Sequence, residues 1–181
     1  KAKKLLAEAG YEGGFETTLW AMPVPRPYNP QPKLLAQAVQ ADLKKIGVKA
    51  EIKSYDWGTY LEKTENGEHD MAFLGWTGDN GDPDNFLYVL LDKDNATKGS
   101  AGNIAFYKSD ELHDKLMPAK RIMDQEKRAE LYKEAQEIIH KDAPWVPMAH
   151  STPPLGLNKK VHNYIPSPLG IEPLHRVWKE K

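Results

Sequence analysis

Two segments decide the fold: FETTLWAM, residues 15–22, and VKAEIKSY, residues 48–55. The first is rich in β-branched and aromatic residues, and the second alternates apolar and polar side chains, so both predict β-strands. Between them, residues 33–46 carry apolar side chains at helical spacing, and Gly47 ends that segment. The order strand, helix, strand indicates an α/β domain.

The same alternation extends on both sides of this unit. The further segments that we expect are a short helix at 1–9, a helix at 56–64 capped by Asp56, a buried third strand at 70–76 (DMAFLGW), a helix at 84–91, a polar surface loop at 93–102, a helical pair at 109–123 and 125–141, and a proline-interrupted edge strand at 143–150. From Pro153 onward the sequence predicts an irregular, proline-rich segment. Together these elements predict a mixed sheet flanked by helices.

Composition narrows the range of functions. The 181 residues include 25 Lys and Arg against 26 Asp and Glu, which gives a formal net charge of −1. Proteins that bind nucleic-acid duplexes usually carry a basic surface. The near equality of basic and acidic residues therefore argues against nucleic acid as a partner. The absence of cysteine excludes disulfides, thiol nucleophiles and cysteine-ligated metals. No run of 18 apolar residues is present to cross a membrane as a helix.

The beginning of the sequence also carries information. It opens with KAKKLL, which is already in a helical pattern and lacks an initiating Met. We therefore expect residues 1–181 to be a piece of a longer protein that begins before Lys1. The lack of a secretory signal at residue 1 then says little about where the protein resides.

A loop rich in glycine and aspartate, GWTGDNGD, follows the third predicted strand from Gly75 to Asp82. Its glycines let the backbone approach another group closely, and Trp76 offers a flat apolar face with one hydrogen-bond donor. The carboxylates of Asp79 and Asp82 offer acceptors for a cation. Two interpretations stay open: a ligand-binding loop, or a tight surface turn in which Asp82 or Asp84 caps the next helix.

A second unusual loop follows the first predicted strand, and four prolines between residues 23 and 30 exclude a regular helix or ladder there. Arg26 lies in its middle, either as a solvent-exposed cation or as a carboxylate-binding group, since a guanidinium fork matches two carboxylate oxygens. Ligands of α/β sheets gather beyond the carboxyl ends of the strands. A ligand with a carboxylate and an ammonium, such as an amino acid or a short peptide, would suit Arg26 and the glycine- and aspartate-rich loop, which is called the acidic loop below.

Motifs for catalysis and metal binding are missing from the sequence. The six histidines form no HxxxH, HxH or HExxH pair, and neither GxSxG nor a glycine-rich phosphate loop is present. Counting from Asp79 or Asn80 does not place the glycine and glutamate of an EF-hand. A hydrolase that uses Asp79 and Asp82 is the enzymatic alternative. Because no partner groups accompany these carboxylates, we predict a non-enzymatic protein without metal or cofactor.

Three segments resemble a known family: LWAMP at 19–23, RPYNP at 26–30 and GWTGDNGDPDNF at 75–86. They are similar to the dipeptide-binding branch of solute-binding protein family 5, which serves bacterial ABC importers. The resemblance runs through nearly the whole chain and weakens after about Leu157. Of the three segments, the glycine- and aspartate-rich loop is specific to this group.

The resemblance implies one lobe of a two-lobed, type II-like periplasmic-binding-protein fold that closes over its ligand. Residues from about 157 to 181 would form an irregular tail that returns toward the missing first lobe. In this branch a residue matching Arg26 pairs with the carboxylate of a peptide, and one matching Asp79 pairs with its ammonium. The expected ligand-binding set is completed by Trp76, Gly75, Thr77 and Met22.

The resemblance also implies the partners. These are a short peptide ligand, an ABC permease in the inner membrane and the missing N-terminal lobe of the same protein, with the periplasm as the location. Glutathione- and haem-associated receptors resemble the dipeptide branch closely, so a receptor for glutathione or haem is the alternative function.

Overall fold

In the computed structural model, which describes residues 1–152 and 154–181, a three-stranded parallel sheet lies at the centre. Its strands are β1 (Glu16–Trp20), β2 (Lys49–Lys53) and β3 (Met71–Ala72), in the order β2-β1-β3. Trp20 is paired with Lys53 on one side and with Ala72 on the other. All three strands therefore end at the same edge of the sheet.

Helices connect and extend this sheet, which confirms the predicted α/β class. They are α1 (Ala2–Glu8), α2 (Pro32–Lys45), α3 (Trp57–Glu65), α4 (Asp84–Leu91), α5 (Asp110–Ala119) and α6 (Gln125–Asp142). The predicted cap of α3 is confirmed, because the Asp56 carboxylate accepts a hydrogen bond from the Thr59 N–H at 3.1 Å. None of the helices in the described residues is long and apolar enough to span a membrane.

Each face of the sheet has its own apolar cluster, because alternate residues of a strand point to opposite faces. Leu19 and Ala21 pack with Ala36 of α2 on one face. On the other face, the buried residues Trp20 and Met22 pack with Tyr60 of α3 and with the partly buried side chains Tyr28, Tyr55, Trp57, Ala72 and Phe73. A further cluster joins α4, α5 and α6 through Leu91, Leu112, Leu116, Ala119, Tyr132, Ala135 and Ile138.

The third strand is shorter and less buried than the sequence predicted. Only Met71 and Ala72 form β3, and the Phe73 N–H adds one more bond to the Trp20 carbonyl oxygen at 3.0 Å. Leu74 and Trp76 are 39% and 40% exposed. The chain leaves the sheet here because Gly75 packs against a neighbouring loop instead of continuing the ladder.

The predicted edge strand at 143–150 is wrong, because these residues form no strand in the structure. Pro144 and Pro147 have no N–H to donate to a ladder, and Trp145 instead packs against the helical cluster. The segment at 93–102 is only partly a surface loop, since Ala96 and Ala101 within it are buried.

Some regular structure interrupts the C-terminal segment that we predicted to be irregular. Its β4 (Val161–His162) and β5 (Trp178–Lys179) pair antiparallel, and a short 3₁₀ turn covers Leu174–Arg176. Pro153, the expected beginning of this segment, lies outside the described residues.

The buried Tyr60 hydroxyl provides a test of how the sheet is held together. It lies 3.1 Å from the Trp20 carbonyl oxygen and 2.7 Å from the Phe73 carbonyl oxygen, and Tyr60 is 0% exposed. Tyr60→Phe should lower the free energy of unfolding by about 1–3 kcal/mol, because the Phe73 carbonyl oxygen, the nearer of the two acceptors, loses its hydroxyl donor. Urea denaturation would measure the loss. Tyr11→Phe, at an exposed position, is the control, and an equal loss in both variants would contradict the assignment.

Candidate functional site

A tight turn centred on Pro27 and Tyr28 carries Arg26. The backbones of Arg26 and Asn29 exchange two hydrogen bonds, of 3.0 and 2.9 Å, which close the turn. The buried Asn29 amide then donates to the Met22 sulfur at 3.7 Å. Met22 is itself only 2% exposed, so the structure places this predicted ligand-binding residue beneath the turn, where it supports Arg26 from inside the core.

The Arg26 guanidinium lies over an aromatic face. Its Cζ is 4.4 Å from the centroid of the Trp57 ring, and Trp57 in turn stacks on Tyr60 at 5.9 Å. Among the residues that the structure describes, no carboxylate lies within ion-pair distance of Arg26. A cation–π contact orients the guanidinium without using its in-plane N–H donors. The arrangement therefore leaves those donors available for an anionic group.

The Arg26 turn touches the glycine- and aspartate-rich loop through Tyr28. A Cβ atom built on Gly75 would lie 2.3 Å from Tyr28 Cδ2, so only glycine permits this approach of ring and backbone. The two loops that sequence analysis singled out are therefore in direct contact.

Asn85, in the first turn of α4, organises the acidic loop. Its Oδ1 accepts hydrogen bonds from Trp76 Nε1 at 2.8 Å and from the Asp79 N–H at 3.0 Å. Its Nδ2 donates to Asp79 Oδ2 at 3.1 Å. One amide side chain thus fixes both the Trp76 ring and the Asp79 carboxylate. Among the described residues, no hydrogen bond reaches the other carboxylate oxygen, Asp79 Oδ1.

Sequence reasoning missed the role of Asn85. The signal for it was its position, because an Asn in the first helical turn can bond the preceding loop as well as its own backbone. Thr77 is exposed and Trp76 is 40% exposed, so both lie on the surface beside Asp79. Five of the six predicted ligand-binding residues are therefore on the two contacting loops, and Met22 lies below them.

Asp82 and Asp84 have structural roles that differ from that of Asp79. Asp82 Oδ1 accepts a hydrogen bond from the Asp84 N–H at 2.9 Å, so Asp82 binds the first N–H of α4, although Pro83 and not Asp82 is the N-cap residue. That backbone bond, followed by the guanidinium of Arg128, holds the pKa of Asp82 below its usual range. Asp84 makes no side-chain cap bond. Asp82 is already paired with a cation, which distinguishes it from Asp79.

Among the described residues, one group of side chains has the composition of a metal site. Ligand atoms of Asp92, Asp94 and His113 lie within 4.8 Å of one another. The buried Asp92 carboxylate, however, accepts a hydrogen bond from the Asp94 N–H at 2.9 Å and lies 3.0 Å from His113 Nδ1. These contacts satisfy the cluster internally, so it serves as a link between the end of α4 and α5.

The parallel sheet thus carries a cation and an anion on contacting loops at its carboxyl edge, which is the edge where α/β domains bind their ligands. The chain belongs to the bacterial extracellular solute-binding proteins, family 5. The family model described as family 5 Middle matches residues 1–98.

Individual relatives are similar over almost the whole chain. Di/tripeptide-binding protein 3 of Pseudomonas aeruginosa (strain UCBPP-PA14) is 52% identical over 99% of this chain and 33% of its own length. Heme-binding protein A of Haemophilus influenzae is 45% identical over 98% of this chain and 32% of its length. The chain therefore spans about a third of the length of these relatives.

A solved structure shows the same fold. The dipeptide-binding protein of Pseudoalteromonas sp. SM9913, in complex with Met-Leu, superposes with a TM-score of 0.82 at 36% identity, covering 99% of this chain and 35% of that one. The predicted periplasmic-binding-protein fold is thereby confirmed.

Gly75 provides a test of the contact between the loops. Gly75→Ala should lower the free energy of unfolding by about 1–3 kcal/mol, because the new methyl group overlaps the Tyr28 ring. Thermal denaturation would measure this. Gly13→Ala is the matched control, since a Cβ at Gly13 meets nothing within 4 Å, and it should be neutral or slightly stabilising. A stable Gly75→Ala variant would show that the loops do not require this approach.

Proposed function

We propose that this chain is the ligand-gripping lobe of the substrate-binding component of an ABC importer, which captures dipeptides or similarly short peptides by their free termini. The observation that carries the proposal is the placement of Arg26 and Asp79 on contacting loops, neither of them paired with an opposite charge among the described residues. Arg26 takes the carboxylate of the peptide, and Asp79 takes its ammonium.

The charges and their supports suit this task. A hydrogen bond to a charged group contributes about 1.5–3 kcal/mol once it is shielded from water. The exposed Trp76 ring lies beside Asp79 and can shield the ammonium, while Thr77 and the Gly75 backbone offer uncharged polar contacts. Recognition by two termini at a set separation favours short peptides and leaves the side chains of the ligand unrestricted.

The similar proteins support the rest of the proposal. Relatives named for di- and tripeptide binding, and one solved with Met-Leu, are binding proteins, which favours a non-enzymatic role. A family of extracellular solute-binding proteins favours a periplasmic location and an ABC permease of the inner membrane as partner. Neither a cofactor nor nucleic acid is needed for this role.

The other lobe of the receptor would complete the binding site. The other lobe would close over the Arg26 and Asp79 loops and exclude water from the bound peptide. The segment from about 157 to 181 would contact that lobe, since Ile165, Ile171, Leu174 and Trp178 expose more than half of their surface.

Removal of one charge tests the assignment of the two termini. In the full-length receptor, Asp79→Ala should weaken binding of a free dipeptide by about ten- to a hundredfold, because the ammonium loses a charged acceptor. It should leave binding of the N-acetylated dipeptide unchanged. Calorimetry with both ligands would measure the difference, and Arg26→Ala with a C-terminally amidated dipeptide is the mirror experiment.

Asp114→Ala is the control for this experiment, because Asp114 is exposed on α5, outside the two loops. The two-charge assignment is wrong if Asp79→Ala binds the free dipeptide like the wild type. Equal affinity for a free dipeptide and one blocked at both ends would contradict it as well.

A haem or glutathione receptor is the second candidate function. The 45% identity to Heme-binding protein A supports the haem alternative. Glutathione also carries an ammonium and carboxylates, so Asp79 and Arg26 suit it chemically. Native mass spectrometry of the freshly purified full-length receptor distinguishes the candidates by the mass of the bound ligand, and a Soret absorbance band would favour haem.

A further inference from the structure

Helix α6 holds the far end of the acidic loop. Arg128 Nη2 lies 2.9 and 3.0 Å from the two carboxylate oxygens of Asp82. The side chains of this pair are only 17% and 35% exposed. Partial burial reduces the screening by water, so this ion pair is a firmer link than an exposed one.

Two further contacts fix the same guanidinium to the helical pair. Arg128 Nε donates to the carbonyl oxygen of Ala119, at the end of α5, at 2.8 Å. Its Nη2 also lies 3.1 Å from the hydroxyl of the buried Tyr132. Arg128 therefore links the acidic loop to a packed core. A lysine at this position would keep the charge but has a single nitrogen and cannot make all of these contacts.

The loop between the two aspartates needs such a link. Gly78 and Gly81 give its backbone freedom, and Gly81 adopts a φ of +73° with open space around it. Asn85 holds Asp79 at one end, and Arg128 holds Asp82 at the other. Without Arg128, Asp82 would become an unpaired anion three residues from Asp79 and would compete with it for a cation.

We propose that Arg128 is a positioning residue for ligand binding: by anchoring Asp82, it sets the place and the charge environment of Asp79 for the ammonium of the peptide. This inference rests on the proposed function. It assigns a role in ligand recognition to a helix that lies outside both contacting loops.

Calorimetry on the full-length receptor tests the inference with a free dipeptide and its N-acetylated form. Arg128→Met should bind the free dipeptide about tenfold more weakly, while the affinity for the N-acetylated form changes less than about twofold. Arg128→Lys should recover part of the loss because it keeps the charge. Arg121→Met, at an exposed position just after α5, is the matched control and should behave like the wild type.

Asp82→Asn removes the negative charge of the same ion pair. It takes the place of Arg128→Met in this experiment if that variant does not fold. Wild-type affinity of Arg128→Met for the free dipeptide would overturn the inference. Equal losses for the free and the acetylated ligand would also overturn it, because they indicate a merely structural role. If Asp79→Ala weakens binding and Arg128→Met does not, only the role of Arg128 is wrong. If neither variant weakens binding, the proposed function fails too.

Discussion

The parallel pairing of β1 with a strand on each side is the constraint on which the rest of the structure depends. Each parallel pair requires a crossover, so the carboxyl ends of β2, β1 and β3 meet at one edge of the sheet. Each strand then delivers one part of the site to that edge. The segment after β1 carries Arg26, the segment after β2 leads to Trp57, and the loop after β3 carries Asp79. Strand order thus brings segments that are distant in sequence to one edge of the sheet.

A buried aromatic cluster stabilises the carboxyl edge of the sheet. Trp20 and Met22 lie on the face of β1 opposite to Leu19, and Tyr60 packs against both. The Tyr60 hydroxyl lies close to carbonyl oxygens at the ends of β1 and β3, so it also holds the two strands together where their loops begin. Tyr28 extends this cluster to Gly75. The position of the charged groups is thus determined by packing below them as well as by the loops themselves.

Local patterns in the sequence predicted most of the fold. Helical spacing at 33–46 and Asp56 as a cap are signals within a few residues, and the structure bears them out. The edge strand at 143–150 and the full length of the third strand were wrong, because strand formation depends on a partner that local sequence does not reveal. Apolar residues predicted burial at Leu74, whereas the chain leaves the sheet there.

The candidate site was predictable only in part, for the same reason. Arg26 and Asp79 came from unusual loops and a family resemblance, both visible in the sequence. The contact between Arg128 and Asp82 spans 46 residues, and nothing in the spacing of an ordinary amphipathic helix indicates it. The contacts of Trp57 with Arg26 and of Asn85 with Asp79 likewise depend on the tertiary arrangement of segments that have separate local signals.

The two charges are supported in physically different ways, and this difference bears on recognition. Trp57 contacts the Arg26 guanidinium through its π-face, which leaves the in-plane N–H donors of the guanidinium out of that contact. Asn85 holds Asp79 through directional hydrogen bonds to both its backbone N–H and one carboxylate oxygen. The Asp79 carboxylate is therefore held through one of its own oxygens, whereas the contact of Arg26 with Trp57 uses none of the guanidinium donors. A ligand bound by both groups would share the Asp79 carboxylate with Asn85 and would meet the Arg26 donors without displacing Trp57.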